Sequence, residues 1–205
     1  MLEIEGLTQL SNKEFEKAIG VLIRAFWDDP LLAHFFPHEN KRKRFLVAFF
    51  EYRLKQGQRC GKVYLTSPDV EGVAIWKYHD KLDTSLWTDI RCGGLKMYRI
   101  AGLSLMRRLI EINDFVFERR NEYATLPYIH LGSFAVDPEM QGKGYGSRLI
   151  RPMLAHLDDM KCHCYLETQT ESHVSLYEHF GFEVLAKGHV PGLDIPHWDM
   201  IRYAQ

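Results

Sequence analysis

The sequence predicts an α/β fold in a single domain, and three observations carry that reading. Two short β-branched and aromatic runs flank a turn about a third of the way along the chain. A strand, a glycine-rich turn, a helix and a second strand follow one another in the final third. Amphipathic helical patterns precede both. The 205 residues include 26 Lys+Arg and 27 Asp+Glu and are 46 % hydrophobic. That length fits one domain, at roughly 100–200 residues each, and buries a core without disulfide or metal staples. A net charge of −1 leaves no global electrostatic grip on nucleic acid, so no nucleic-acid partner is expected. With 13 % aromatic residues and no long polar tract, the chain is not a disordered one.

Taken in order, Ser11 and Glu14 have the spacing of a capping box. Phe15, Ile19, Leu22, Ile23 and Phe26 then share one helical face, and the helix is expected to stop at Asp28-Asp29-Pro30 because a residue before proline leaves the α region. A second amphipathic helix covers about 42–56, with Phe45, Phe49, Tyr52 and Arg53 near one stripe. Residues 62–66 and 72–76 are the two β-runs, and Ser67-Pro68-Asp69 between them makes an antiparallel hairpin. From 81 to 121 the pattern is helical, broken near Gly93-Gly94 and at Gly102. A strand at 128–136 ends at Asp137-Pro138, and Gly142, Gly144 and Gly146 open a helix over 144–158. A strand at 163–168, a helix at about 172–180 stopped by Gly181, and strands at 182–185 and 198–203 complete the chain. With no internal repeat or linker, the domain spans 1–205, and a helical insertion at 81–126 lies before the glycine-rich unit.

The first residues lack the basic and apolar regions of a secretory signal, and no uncharged apolar run approaches the roughly 20 residues that cross a bilayer. Cys60, Cys92, Cys162 and Cys164 are too sparse for a disulfide framework. The expectation is a soluble cytoplasmic protein with no membrane partner. Cys162-His163-Cys164 is no metal site on a strand, because the cysteines face one side and His163 the other. Lys41-Arg42-Lys43-Arg44 reads as a solvated helix start.

The chemistry is concentrated in Gln141-Gly142-Lys143-Gly144-Tyr145-Gly146-Ser147. Alternating glycines let the backbone approach a bulky ligand, and the helix that follows adds unpaired N–H donors and a positive dipole end. Together they form an anion site for a phosphate or pyrophosphate, with Lys143 as a point charge at its rim. The Walker pattern fails because Gly144 stands where Ser or Thr is required after Lys143. The dinucleotide pattern fails because no glycine stands at Ser147 or Leu149.

Gln141-x-x-Gly144-x-Gly146, after a strand ending in Val136-Asp137-Pro138, resembles the acyl-CoA signature of the GNAT superfamily of N-acyltransferases. Leu166-Glu167-Thr168 and Leu176-Tyr177-Glu178-His179-Phe180-Gly181-Phe182 are similar to that family's next strand and helix. Ala25-Phe26-Trp27-Asp28-Asp29-Pro30, Gly61-Lys62-Val63-Tyr64, Val73-Ala74-Ile75-Trp76 and His197-Trp198-Asp199-Met200-Ile201-Arg202 look like the puromycin N-acetyltransferase branch, whereas 81–126 does not. The resemblance implies a mixed, strongly curved and mostly antiparallel sheet flanked by helices. It implies direct transfer of an acyl group, acetyl first among them, from acetyl-CoA to a primary amine of a small molecule, without a metal. Homodimers are common in the family, and no residue here establishes one. A protein or peptide acceptor, or a non-catalytic acyl-CoA sensor, stands as the alternative.

Residue by residue, the resemblance assigns the pyrophosphate to the amides of the 141–147 turn. It assigns the thioester carbonyl to the backbone N–H groups of Phe134, Ala135 and Val136. Tyr177 is set beside the thioester sulfur, where its hydroxyl protonates the departing thiolate; read in isolation it is a packed core tyrosine. Alternation puts Glu167 on the strand face opposite Leu166 and Thr168. There it removes a proton from the acceptor amine, directly or through water, or else partners an arginine. Asp28 and Asp29 attract a cationic acceptor, or form a helix-end turn. His173 stands where many members carry an asparagine facing the pantetheine or the phosphate arm, and its hydrogen-bond geometry differs.

Overall fold

In the computed structural model, which describes residues 4–78, 86–124 and 127–205, seven strands form one sheet in the order β1-β2-β3-β4-β5-β7-β6. They are β1 (Thr8–Gln9), β2 (Gly61–Leu65), β3 (Gly72–Tyr78), β4 (Tyr128–Val136), β5 (His163–Thr168), β6 (Glu183–His189) and β7 (Pro196–Arg202). Every neighbouring pair is antiparallel except β4 and β5. The expected mixed, mostly antiparallel α/β sheet is therefore present. The helices are α1 (Phe15–Ala25), α2 (Pro30–Phe35), α3 (Glu39–Cys60), α4 (Leu86–Cys92), α5 (Gly94–Ala101), α6 (Leu103–Tyr123), α7 (Tyr145–Asp159) and α8 (Glu171–Glu178). None of them is long and apolar enough to cross a membrane, among the described residues.

Side-chain alternation along the strands builds two cores. Val63, Leu65, Val73, Ile75 and Ala135 pack under α1 and α3 with Leu22, Phe45, Phe50 and Leu54. Tyr64, Ala74, Trp76, Ile129 and Leu131 point the other way and join Leu149, Ile150, Leu154 and Leu157 of α7, with Leu166, Trp198 and Met200. We call the first the α3 face and the second the α7 face.

One irregularity bends the middle of the sheet. Between β3 and β4 the register slips: Ile75 pairs with Ser133 but Trp76 pairs with Leu131, so Gly132 is an extra residue, a β-bulge. On the other edge β4 pairs with β5 only through Tyr128–His163, Ile129–Cys164 and His130–Tyr165. Beyond those three pairs, just where the bulge bends β4, the two strands part.

Several local expectations are corrected. Ser11 and Glu14 form no reciprocal capping box: the Ser11 hydroxyl donates to the Glu14 carboxylate at 2.5 Å and accepts from Lys13 N, while Glu14 is itself the N-cap of α1 without a side-chain cap. The first helix ends at Ala25, before Asp28-Asp29-Pro30; Asp29 begins α2, its Oδ1 accepting from the amides of Leu31 and Leu32 at 3.0 Å with Pro30 at the first helical position. The expected 42–56 helix runs longer, and Arg42 is not merely solvated: it donates to Phe36 O at 2.8 Å and Trp27 O at 3.0 Å, fastening the α1–α2 connection to α3. The short β1 had no signal in the sequence. In the helical insertion, Gly93 and Gly102 separate α4, α5 and α6 with φ of 103° and 84°, as their placement predicted. The ends of that insertion, 81–85 and 125–126, lie outside the described residues.

Gly61, at the junction of α3 and β2, has no room for a methyl group: an added Cβ would collide with Trp76 O and stand 2.8 Å from Lys77 Cα, both backbone atoms of β3. Gly61→Ala is expected to destabilise the protein by about 1–3 kcal/mol or more, read as a lower urea midpoint with an unchanged slope.

Candidate active site

The parting of β4 and β5 leaves one edge of β4 without a strand partner. Asp137 N donates to Glu71 O at 2.8 Å, which makes Asp137–Glu71 a hydrogen-bonded pair of the β3–β4 ladder. Alternation then turns the backbone groups of Ala135 toward β3 and those of Phe134 and Val136 toward the open edge. The Gln141 side chain agrees, since its Nε2 reaches round to donate to Val136 O at 3.2 Å.

At the mouth of this opening stands the glycine-rich turn. Gly142 and Gly144 have φ of 75° and 81°, a region that favours glycine, and Gly144 is the N-cap of α7. No side chain caps that helix and its first turn carries no acid, so the amides of Tyr145, Gly146 and Ser147 have no intrahelical acceptor. A Cβ at Gly146 would meet the Phe134 ring at 3.5 Å, so the small residue brings the helix end close to β4. Lys143 lies at the rim, where Nζ donates to Glu139 O at 3.0 Å. Asp137 holds the turn to α1 by accepting from Arg24 Nε at 3.1 Å, and that hydrogen bond keeps its carboxyl below the usual range. Uncapped amides at an open strand edge fit a ligand with an extended amide arm and a pyrophosphate.

Tyr177, on α8, is buried on the α7 face between Phe134 and Phe182, with ring centroids 6.3 and 5.7 Å away. Its hydroxyl makes no hydrogen bond among the described residues, and burial pushes its pKa up, so it is a phenol and not a phenolate at neutral pH. His173 begins the same helix and faces Asp29. Burial raises the Asp29 carboxyl, opposed by its two amide hydrogen bonds and by His173, while Asp28 is exposed. Tyr177 of α8 thus stands beside β4 through Phe134, while Asp29, at the start of α2, and His173 of α8 face each other.

On the α3 face lies a buried polar cluster. Glu167 does point there, opposite Leu166 and Thr168, but both of its oxygens are engaged. Oε1 accepts from Arg120 Nε at 2.9 Å and Nη2 at 2.5 Å; Oε2 lies 2.8 Å from His130 Nε2. Although burial opposes ionisation, Arg120 and His130 together hold this carboxyl far below the ordinary range. His130 is 3 % exposed, and burial followed by the nearby Arg120 lowers its pKa to about 4. Arg53, from α3, donates to Gly132 O and to Ser133 Oγ at 3.3 Å, and Lys77 Nζ bonds Gln56 Oε1. Alongside, Asp199 accepts from Tyr165 at 2.6 Å and from Arg119 Nε at 2.8 Å. Arg119 and Arg120 therefore tie α6 to β7 and β5.

Sequence reasoning missed His130, Arg53 and Arg120. The available signal was alternation from Tyr128, which puts His130 on the face shared with Glu167 once β4 and β5 are neighbours. Cys162 and Cys164 pack toward α7, while His163 Nδ1 accepts from Ala204 N at 3.0 Å. Among the described residues no three His, Cys, Asp or Glu side chains are grouped to hold a metal ion.

Comparison with known proteins finds acetyltransferases. Residues 105–182 match the model of the acetyltransferase (GNAT) family. An uncharacterised N-acetyltransferase of Schizosaccharomyces pombe is 28 % identical over 184 residues, covering 85 % of this chain and 72 % of that protein. Among solved structures, histone acetyltransferase HPA2 and related acetyltransferase from Corynebacterium glutamicum superposes with a TM-score of 0.70 at 22 % identity, over 97 % of this chain and 96 % of that one. A Drosophila melanogaster polyamine N-acetyltransferase, described as forming N-acetylagmatine, superposes with a TM-score of 0.56 at 15 % identity, over 96 % and 98 % of the two chains.

The buried cluster makes stability pH-dependent. His130 has a folded pKa below its unfolded value, so the folded state binds fewer protons, and its contribution is whole above about 6.5 and lost as pH falls toward about 4. The lowered pKa of Glu167 acts in the same direction at lower pH. Urea melts are expected to show a loss of roughly 2 kcal/mol between pH 7 and pH 5, and His130→Asn is expected to flatten that slope.

Proposed function

We propose that this chain, which belongs to the GNAT family of acetyltransferases, moves an acetyl group directly from acetyl-CoA to the primary amine of a small molecule. The observation that carries the proposal is the parting of β4 from β5 after His130 and Tyr165, with an uncapped glycine turn at its mouth and a protonated tyrosine beside it. Acetyl-CoA brings the activated thioester; the chain supplies orientation and proton transfer.

In this reading the amides of the turn from Gln141 to Ser147 hold the pyrophosphate, and His173 contacts the arm that leads from it. The open edge of β4 pairs with pantetheine as a strand would. The N–H groups of Phe134 and Val136 face that edge, so they hold the thioester carbonyl oxygen as negative charge develops on it, whereas Ala135 supports them through its ladder with β3. Tyr177 gives its proton to the sulfur that leaves. The Glu167 cluster takes the proton that the amine must lose. Asp28 and Asp29 draw a cationic acceptor to the mouth.

The choice of a small acceptor over a protein one rests on the roof. α6 is pinned over the α3 face by two buried ion pairs, Arg119–Asp199 at 2.6 Å and Arg120–Glu167 at 2.5 Å. That arrangement suits an enclosed acceptor better than a long peptide. The N-acetylagmatine formed by the Drosophila structural neighbour is likewise the product of a small amine.

Tyr177→Phe keeps the ring and removes only the proton donor. It is expected to lower kcat about 100-fold in an assay of amine-dependent CoA release, while calorimetric binding of acetyl-CoA stays within about twofold, a change of under half a kcal/mol. Unchanged turnover removes Tyr177 from the acid role.

A further inference from the structure

The state of the His130 ring follows from its partners. Glu167 is ionised, its Oε1 held by the Arg120 fork, and an ionised carboxylate only accepts hydrogen bonds. His130 Nε2, 2.8 Å from Oε2, must therefore carry the hydrogen. In a neutral ring this leaves Nδ1 with a lone pair. That atom is buried and has no hydrogen-bond partner. A histidine kept only for packing or for its ion pair would be expected to satisfy both nitrogens.

The direction of Nδ1 adds the second observation. A Cβ on Gly132 would stand 3.5 Å from Nδ1 and 3.1 Å from Arg53 Nη2. Gly132 does not have a positive φ, so its backbone does not call for glycine. What the missing side chain leaves is a notch the size of one Cβ beside the Cε1–Nδ1 edge of the ring, at the bulge where β4 leaves β5. The titratable groups facing the ring are Arg53 from α3, Arg120 from α6 and Lys77 from β3, whose own pKa burial pushes well below the usual lysine range, with Glu167 from β5 as the one anion among them. Burial and the Arg120 guanidinium keep the ring neutral at rest and disfavour an ammonium beside it, while the Glu167 carboxylate on Nε2 supports the proton that Nδ1 takes up.

We infer that His130 Nδ1 is the atom that accepts the proton of the acceptor amine, and that Glu167 is a positioning residue acting through it; this rests on the acetyltransferase reading above. The amine arrives neutral, having left its first proton in solvent, and its nitrogen bonds to the thioester carbonyl carbon. The proton that this nitrogen then sheds goes to Nδ1. The carbon–sulfur bond breaks, its electron pair leaves with sulfur, and Tyr177 gives sulfur a proton. The imidazolium proton returns through solvent to the tyrosinate, restoring both groups. The balance is amine plus acetyl-CoA to amide plus CoA thiol.

The test joins nitrogen-15 NMR of the His130 ring with kinetics of two variants. The wild-type ring is expected as the Nε2–H tautomer with bare Nδ1 at pH 7; an Nδ1–H tautomer or a cation there overturns the proposal. His130→Asn is expected to lower kcat about 100-fold or more with acetyl-CoA affinity unchanged. Gly132→Ala keeps the base and fills the notch, and is expected to lower kcat at least tenfold, a barrier increase of about 1.4 kcal/mol. Full turnover in a folded His130→Asn or Gly132→Ala protein overturns the assignment, and the wild-type tautomer with Gly132→Ala decides it should His130→Asn fail to fold. A wild type that binds acetyl-CoA yet releases no CoA with any amine overturns the acetyltransferase reading and this role together, whereas an active wild type with an equally active His130→Asn overturns this role alone.

Discussion

A single misfit between two strands organises this molecule. Gly132 has no opposite number on β3, so β4 bends at that point, and its ladder with β5 stops after three residue pairs. Had the ladder continued along β4, the backbone groups of Phe134 and Val136 would be spent on a strand partner. A closed sheet has no edge to offer an extended ligand, and edges are otherwise covered in stable folds. The cost of leaving these groups without a strand is borne by the well-packed halves on either side. Val73, Ile75, Ala74 and Trp76 are all fully buried next to the bulge.

The same parting divides the chemistry between the two faces of the sheet. On the α7 face stand the apolar wall and Tyr177, whose burial keeps it protonated. On the α3 face stand charged groups that are expensive to bury and tolerable only as a network. Arg120 and Glu167 compensate each other, and His130 completes the carboxylate's coordination. Arg53 reaches the bulge itself through Gly132 O, so the helix that packs the core also braces the place where the strands separate. These contacts hold the fold together as well as lining the candidate site, which is why acid is expected to weaken the fold through them.

Much of the fold was legible because it was written in local pattern. The bounds of β4 and β5 agree with the sequence reading, since apolar and aromatic runs ended by Asp-Pro or set between two helix patterns leave little choice. Gly93 and Gly102 marked their helix breaks for the same reason. The capping box failed because Ser11 and Glu14 satisfy each other's side chains before the helix begins, a competition that spacing cannot reveal. Asp29 was placed at a helix end and proves to be a helix start, because Pro30 is as compatible with the first helical position as with the residue after a helix. The two-residue β1 carries no periodicity to detect.

For the candidate site, the glycine turn was visible as a motif, and the resemblance it carried singled out β4 and Tyr177. Glu167 was visible as a residue and ambiguous as a role. What decides between a free base and a held carboxylate is whether an arginine 47 residues earlier arrives at 2.5 Å, and that depends on how α6 lies over the sheet. His130 gave no sign, because the free lone pair on Nδ1 exists only once strand pairing brings Glu167 to the opposite nitrogen. Local pattern set which segments are helix and strand and which turn leaves a helix start uncapped, since backbone propensity and glycine conformations act within a few residues. Tertiary structure alone settled which charges meet, because electrostatic pairing in a buried site is set by distances across the fold and not by separation along the chain.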